Sequence, residues 1–252
     1  MKFDKLEKYC IEHDIALSQK QNEQFSKFVE LLIEKNKVMN LTAITVPEQI
    51  EIKHLIDSAA GINAIRECCG GDFSLLDIGS GAGFPGIPLK ILCPDSGFCL
   101  LDSLNKRVNF LNGVIEELGL NNIETVCVRA EDYKKRETFD ICTSRAVTRM
   151  NVLLEYSMPF VKVGGYCIMY KSGECEEELK EAETAIETLG GEYYKSISYE
   201  LPEQCGQRSL VIIKKIRQTP EKYPRRAGKP EKKPITAPRG KAVRDDHLTC
   251  SL

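Results

Sequence analysis

Leu75-Leu76-Asp77-Ile78-Gly79-Ser80-Gly81-Ala82-Gly83-Phe84-Pro85-Gly86 is the stretch on which the fold turns: an apolar run closed by an acid and a hydrophobe, then clustered glycines, then a proline. Glycine takes positive φ readily and lets a ligand come close to the backbone. Pro85 suits the first position of a helix. Strand, turn and helix in that order predict a ligand lying against the turn, at the carboxyl end of the first strand of an α/β sheet.

Which ligand follows from charge. Gly81-x-Gly83-x-x-Gly86 satisfies the dinucleotide pattern literally, but it begins three residues beyond the strand, and Asp77 would bring a carboxylate close to any bound pyrophosphate. S-adenosylmethionine has no phosphate and carries a sulfonium and an ammonium, so an acid just before the glycines favours the methyl donor over NAD. A second acid, Asp102, follows Asp77 by 25 residues at the end of the next apolar run. There it can accept from both ribose hydroxyls, a device NAD enzymes share, or simply cap the strand end. Arg129-Ala130-Glu131-Asp132 follows the third run, where adenine is met in such folds; Glu131 is alternatively only an acid at a helix start.

Outward from this turn, short apolar runs alternate with amphipathic segments. Strands are expected at 74–78, 98–102, 123–128, 139–144 and 166–171, with helices near 85–93, 106–118, 147–158 and 175–189. Such alternation implies βαβ units and a mainly parallel sheet. Runs 192–200 and 209–216 lack a full helix between them and predict an antiparallel pair closing the sheet edge, an ending common to methyltransferase cores. Residues 3–37 contain no Gly or Pro and space their apolar side chains helically, as in Phe25, Phe28, Val29, Leu32 and Ile33, which predicts two helices split near Leu17-Ser18. A further helix is expected from Pro47 to about Ile65. The organisation read from this is a helical region 1–66, a Rossmann-like core 67–216 and a basic, proline-interrupted tail 217–252 that cannot form a core.

The balance of 42% hydrophobic and 29% charged residues is that of an ordinary soluble globular protein. No apolar run approaches the ~20 residues of a membrane span, and the start lacks a secretory h-region, so a cytoplasmic location is expected. The eleven cysteines form no C-x-x-C pair, and no H-x-x-x-H occurs, so no metal site is expected. Cys99, Cys127, Cys142 and Cys167 fall in strand-like runs and read as buried, reduced thiols. The net charge of -2 conceals an asymmetry: residues 214–244 hold 12 Lys/Arg against 2 Glu, whereas residues 1–213 hold 23 against 33 acids. A basic tail on an acidic body suits a polyanion gripped by the tail, or else merely solubilises the chain.

Leu76 to Gly86, Leu101-Asp102-Ser103 with Lys106-Arg107, and Ser144-Arg145-Ala146 together closely resemble the bacterial small-subunit ribosomal RNA guanine-N7 methyltransferases, the family also called glucose-inhibited division protein B. Asn40-Leu41-Thr42-Ala43-Ile44, His54-Leu55-Ile56-Asp57-Ser58 and Tyr223-Pro224-Arg225-Arg226-Ala227-Gly228-Lys229-Pro230 look like the same family, so the likeness spans nearly the whole chain, departing after about Ile235. It implies a class I S-adenosylmethionine-dependent methyltransferase with a seven-stranded sheet and an N-terminal helical extension. It further implies cofactor contact at Gly79, Phe84, Ala130, Glu131 and Arg145, beside Asp77, Gly81 and Asp102 read above. The implied substrate is a guanine of 16S ribosomal RNA near the decoding site, naked or in a small-subunit particle, acted on by a monomer.

Guanine N7 has an in-plane lone pair and no proton to remove, so no general base or covalent nucleophile is required. Holding the nucleophile in line with the methyl group is an orientation effect worth roughly 7–11 kcal/mol. At the fourth strand an adenine-N6 enzyme would need Asn/Asp-Pro-Pro-aromatic and a cytosine-C5 enzyme Pro-Cys; this chain has Thr143-Ser144-Arg145-Ala146. Arg145 has three open roles: holding the cofactor carboxylate, gripping RNA phosphate, or pairing with an acid such as Asp77. His54 and Asp57 either line the guanine pocket or make a local polar contact. With His54, Lys171, Arg225, Arg226 and Lys229 are the candidate RNA contacts. The rival readings are an NAD-dependent oxidoreductase and a non-catalytic RNA-binding protein.

Overall fold

The computed structural model describes residues 1–145 and 148–237. The expected helix start at Val147, Ala146 of the fourth-strand motif and the extension 239–252 lie outside the described residues. Among those described, no helix is long and apolar enough to cross a membrane.

Helices α1 (Asp4–Glu12) and α2 (Gln19–Met39) divide where the sequence predicts. Ser18 caps α2 and exchanges hydrogen bonds with Gln21, so two backbone donors that a helix start leaves orphaned are satisfied locally. Asn40 ends α2 at φ 49°, a left-handed conformation that Asn tolerates. The helix expected over 47–65 is instead broken: α3 (Pro47–Ile50), a wide π-helical turn over Glu51–Ile56, α4 (Asp57–Ala59) and then α5 (Ile62–Cys69). Helix α5 runs across the 66/67 boundary drawn from sequence.

Strands β1 (Ser74–Ile78), β2 (Gly97–Asp102), β3 (Ile123–Cys127), β4 (Phe139–Arg145) and β5 (Val161–Ser172) are parallel. They alternate with α6 (Gly86–Leu92), α7 (Asn105–Glu117) and α8 (Met150–Ser157). After α9 (Glu176–Leu189), β6 (Gly191–Glu200) and β7 (Gln207–Lys215) close the sheet in the order β3-β2-β1-β4-β5-β7-β6, with β7 antiparallel to both neighbours. The chain builds outward from β1 to β3 and then restarts on the other side at β4. The crevice at the carboxyl ends of β1 and β4 is therefore the topological switch point, where ligands bind in such sheets.

Each sheet face carries its own core, because side chains alternate along a strand. Leu75, Leu100, Ile141, Ile168 and Ile212 meet the N-terminal helices through Phe25, Phe28 and Leu32. Phe25 and Phe28 are fully buried, each worth about 1.5–3 kcal/mol of hydrophobic stabilisation. The N-terminal helices thus share a core with the sheet. On the opposite face Cys99, Leu76, Cys142, Cys167 and Ile213 form a row in register beneath α8 and α9. Burial pushes the Cys142 and Cys167 thiols up, so they stay protonated and act as small hydrophobes. Cys127 departs from the expectation: it is exposed, because β3 is the edge strand and Cys127 is its last residue.

The tail is also corrected. Thr219, Tyr223 and Pro230 are buried, and Tyr223 joins the same cluster as α8 and α9. Arg136 donates to the carbonyls of Thr219 and Tyr223. Residues 219–230 form a strap across the core; α10 (Lys229–Lys232) lies at its end. Its single aromatic side chain supplies the apolar anchor that charge counting overlooks.

Candidate active site

At the end of β1 the backbone N–H groups of Gly79 and Ser80 both donate to Leu101 O of β2, at 2.8 and 3.1 Å, bending the loop over the sheet edge. Gly81 sits at φ 58°, and among the described residues only Gly79 O, at 3.8 Å, lies near where its Cβ would be; a side chain there would enter open space. Gly86 is required for the opposite reason: a Cβ would strike Leu100 and come within 2.7 Å of Asp77 Oδ2.

The open space is a cavity of about 480 Å³ along the carboxyl ends of β1, β2 and β3. Gly79, Gly81, Phe84, Asp102, Ala130, Glu131 and Arg145 all line it. Asp77 does not. Its carboxylate is wholly buried and accepts from Gly86 N (3.2 Å) and Thr143 Oγ1 (3.3 Å), holding the start of α6 to β1 and β4. Burial raises it to about 6. The negative charge that argues against a pyrophosphate belongs to Asp102, Glu131 and Glu231, which do face the cavity.

Asp102 is both wall and cap. It accepts from Gly81 N (2.9 Å) and Arg107 Nη1 (3.4 Å) through one oxygen and from Leu104 N (2.9 Å) through the other. It therefore fastens the glycine loop to the start of α7. Glu131 accepts from Gly228 N of the strap at 3.2 Å, and Tyr156 and Glu231 complete that side of the cavity.

Arg145, the last residue of β4, reaches back to the π-helical turn. It donates to Asp57 Oδ2 at 2.7 Å and to Lys53 O at 3.2 Å, and its Nη2 lies 3.1 Å from His54 Nδ1. Of the three roles open from sequence, pairing with an acid is seen here, with Asp57 as the acid; Asp77, given there as an example, turns away toward α6. Asp57 is 4% exposed and is held further by Tyr199 Oη at 2.8 Å and Arg208 Nε at 3.7 Å. The guanidinium lies 5.1 Å from the Phe84 ring centroid, and His54 stacks on the same ring at 4.5 Å. Thr42 Oγ1 lies 3.0 Å from His54 Nε2. Burial, then the Arg145 charge, push His54 down to about 3, so it is neutral and a very weak base.

Beside these residues lies a second cavity of about 530 Å³, at the carboxyl ends of β4 and β5, sharing among the described residues only His54 and Arg145 with the first. Lys171 lines it and is paired with Glu178 at 2.7 Å. Neither Glu178 nor Arg208, which also line it, stands out in the sequence, because the helix start and the antiparallel return bring them here only in the folded chain.

Arg225 is corrected as a candidate RNA contact. It grips Glu155 through Nε at 2.8 Å, through Nη2 and through its own backbone N–H at 2.8 Å, and Glu155 is fully buried. The Nε–Nη2 edge of the guanidinium is thus committed to Glu155 and is not available to a phosphate. Arg226 and Lys229 are exposed and belong to neither cavity wall.

A sequence model of the family described as rRNA small subunit methyltransferase G matches residues 21–210. The chain belongs to that family. Relatives named ribosomal RNA small subunit methyltransferase G include that of Lachnoclostridium phytofermentans, 50% identical over 223 residues, 87% of this chain and 91% of its own. That of Desulforamulus reducens is 49% identical over 228 residues, 89% of this chain and 94% of its own. Among solved structures, a 1,6-didemethyltoxoflavin-N1-methyltransferase of Burkholderia thailandensis, holding its substrate and S-adenosylhomocysteine, superposes with a TM-score of 0.52. It is 12% identical and covers 76% of this chain and 87% of that one, a likeness of fold alone. The seven-stranded, mostly parallel sheet is thus the fold of a class I methyltransferase, and the family is one of ribosomal RNA methyltransferases.

Proposed function

We propose that this chain methylates N7 of a guanine in 16S ribosomal RNA, with S-adenosylmethionine as donor. The observation that carries the reading is the pair of cavities that meet at His54 and Arg145. The first fits the donor. Gly81 leaves an open cradle that any Cβ would occupy, and Asp102 offers a carboxylate at the end of β2, suited to ribose hydroxyls. Glu131 and Glu231 add negative charge suited to a cationic ligand. When bound, S-adenosylmethionine supplies the electrophilic methyl group.

The chain's own part is to position the acceptor and exclude rival chemistry. The Phe84, His54 and Arg145 side chains at this junction are held by stacking and hydrogen bonds from the glycine turn, the π-helical turn and β4, the kind of fixed placement that preorganisation requires. His54, at about 3, cannot take up a proton near neutrality, which suits a nucleophile that has none to lose. The cysteines Cys99, Cys142 and Cys167 are buried in the sheet core away from both cavities. Neither NAD nor a purely binding role is favoured by an acid-lined donor cavity that opens beside a second one.

Purified protein incubated with S-adenosylmethionine and small-subunit RNA, as naked transcript and as particle, tests this. Reverse-transcription mapping and nucleoside analysis should find one 7-methylguanosine. Methylation of another atom, or none on either substrate, would refute it.

A further inference from the structure

The second cavity has its own chemistry. Its floor is apolar, with Ile44 and Leu153, and its rim is charged, with Lys171, Glu178 and Arg208. The two cavities meet at His54 and Arg145, and Glu178, in the first turn of α9, lines the second. The carboxylate of Glu178 is committed through one oxygen only. Oε1 accepts from Met150 N at 2.6 Å and from Lys171 Nζ at 2.7 Å, while Oε2 has no hydrogen-bond partner among the described residues. The Glu178 side chain is 29% exposed and that of Lys171 12%. The acid is therefore fixed in place by two donors while one oxygen remains presented.

A base whose N7 faces the donor cavity at the junction beside His54 and Arg145 turns its opposite edge into the second cavity. For guanine this edge carries only donors at the positions concerned, the ring N1–H and the exocyclic N2 amine, whereas the N7 side carries acceptors, N7 and O6. We propose that the second cavity takes the target guanosine, with Glu178 reading the N1–H and N2 amine, Arg145 facing O6, and Arg208 facing the nucleotide's phosphate. This deepens the proposed function and rests on it. Adenine presents an acceptor at N1 and no amine at C2, so the same carboxylate repels it; Glu178 is a specificity-determining residue and Lys171 its positioning partner.

The test is a cycle between protein and substrate, with the methylated position first mapped on wild-type reactions. Small-subunit RNA carrying either guanine or inosine at that position is methylated by the wild type and by Glu178→Gln. Inosine lacks only the N2 amine. Wild type should lose about tenfold in kcat/KM with inosine, the loss expected for one hydrogen bond to a charged group. Glu178→Gln keeps an oxygen for Met150 N, so it should bind the donor normally. It should lose at least as much on guanine and show little further loss on inosine. An inosine penalty of the same size in both proteins overturns the proposal while leaving methyl transfer intact. Failure of the wild type to methylate guanine RNA refutes instead the reading on which the proposal rests.

Discussion

Arg225→Ala separates two pictures of the C-terminal strap. If the basic residues merely follow phosphate, the variant keeps its stability and loses RNA affinity. The structure demands the reverse. Glu155 is 0% exposed in α8, and Arg225 reaches its carboxylate through Nε and Nη2 as well as the backbone N–H. Truncation leaves a buried carboxylate holding one backbone donor. Breaking a buried pair from one side costs about 3–5 kcal/mol, or roughly 6–20 °C of melting temperature for a chain of this size. Replacing both members by apolar residues of similar volume, Arg225→Met with Glu155→Met, should restore most of that loss, because no charge then remains to be solvated. Thermal unfolding followed by circular dichroism reads the first quantity, and the salt dependence of RNA binding the second. A melting temperature unchanged in Arg225→Ala, together with a log-log salt slope flattened by about 0.7–0.9, would refute the reasoning and return Arg225 to the phosphate.

Gly81→Val should leave the fold standing but abolish donor binding by calorimetry, since the branched side chain enters the cavity and is strained at φ 58°; normal affinity would remove the glycine turn from the site. Arg145→Ala should lower kcat/KM by about tenfold or more and also lower stability by about 1–3 kcal/mol, because Asp57 keeps Tyr199 and Arg208 but loses its closest donor; unchanged turnover would leave Arg145 a structural ion-pair partner only. His54, held at about 3 against an ordinary 6.5, contributes stability that is present above pH 6.5 and lost as pH falls toward 3. Asp77, raised to about 6 from 3.8, contributes stability present below pH 3.8 and lost as pH rises through 6. Urea unfolding between pH 4 and 7 should therefore show His54→Gln gaining on the wild type toward acid and Asp77→Asn gaining toward neutrality, and differences flat with pH would contradict both.

The sheet was legible because each strand is a short apolar run and each crossover an amphipathic one. The order of elements from Ser74 to Lys215 follows from that alternation, and the antiparallel close follows from the missing helix between Glu200 and Gln207. The glycine turn was legible because few residue types tolerate its backbone. What sequence could not supply is partnership across long separations. Arg145 and Asp57 are 88 residues apart, and nothing in either neighbourhood says that the end of β4 faces the N-terminal helices rather than the acid of β1. Arg225 and Glu155, 70 apart, fail for the same reason, compounded by the basic composition around Arg225, which suggests solvent. Asp77 was misassigned because a strand-end acid can point to either side of the turn, and here Gly86 N and Thr143 take it inward.

The wide turn over Glu51–Ile56 ties the site to a count of residues as well as to their identities. Such a turn is an ordinary helix with one residue too many. Deleting any one of the six would let the segment relax into regular α-helix, with its hydrogen bonds improved. The extra residue is absorbed by the widening itself, so the two flanks keep nearly the orientation they would have across a regular helix. What a deletion displaces is the inside of the turn, where the Lys53 carbonyl accepts from Arg145 and the His54 ring stacks on Phe84. A single-residue deletion here should thus yield a folded, helical protein whose core keeps Ile50 but whose contacts to Arg145 and Phe84 are lost.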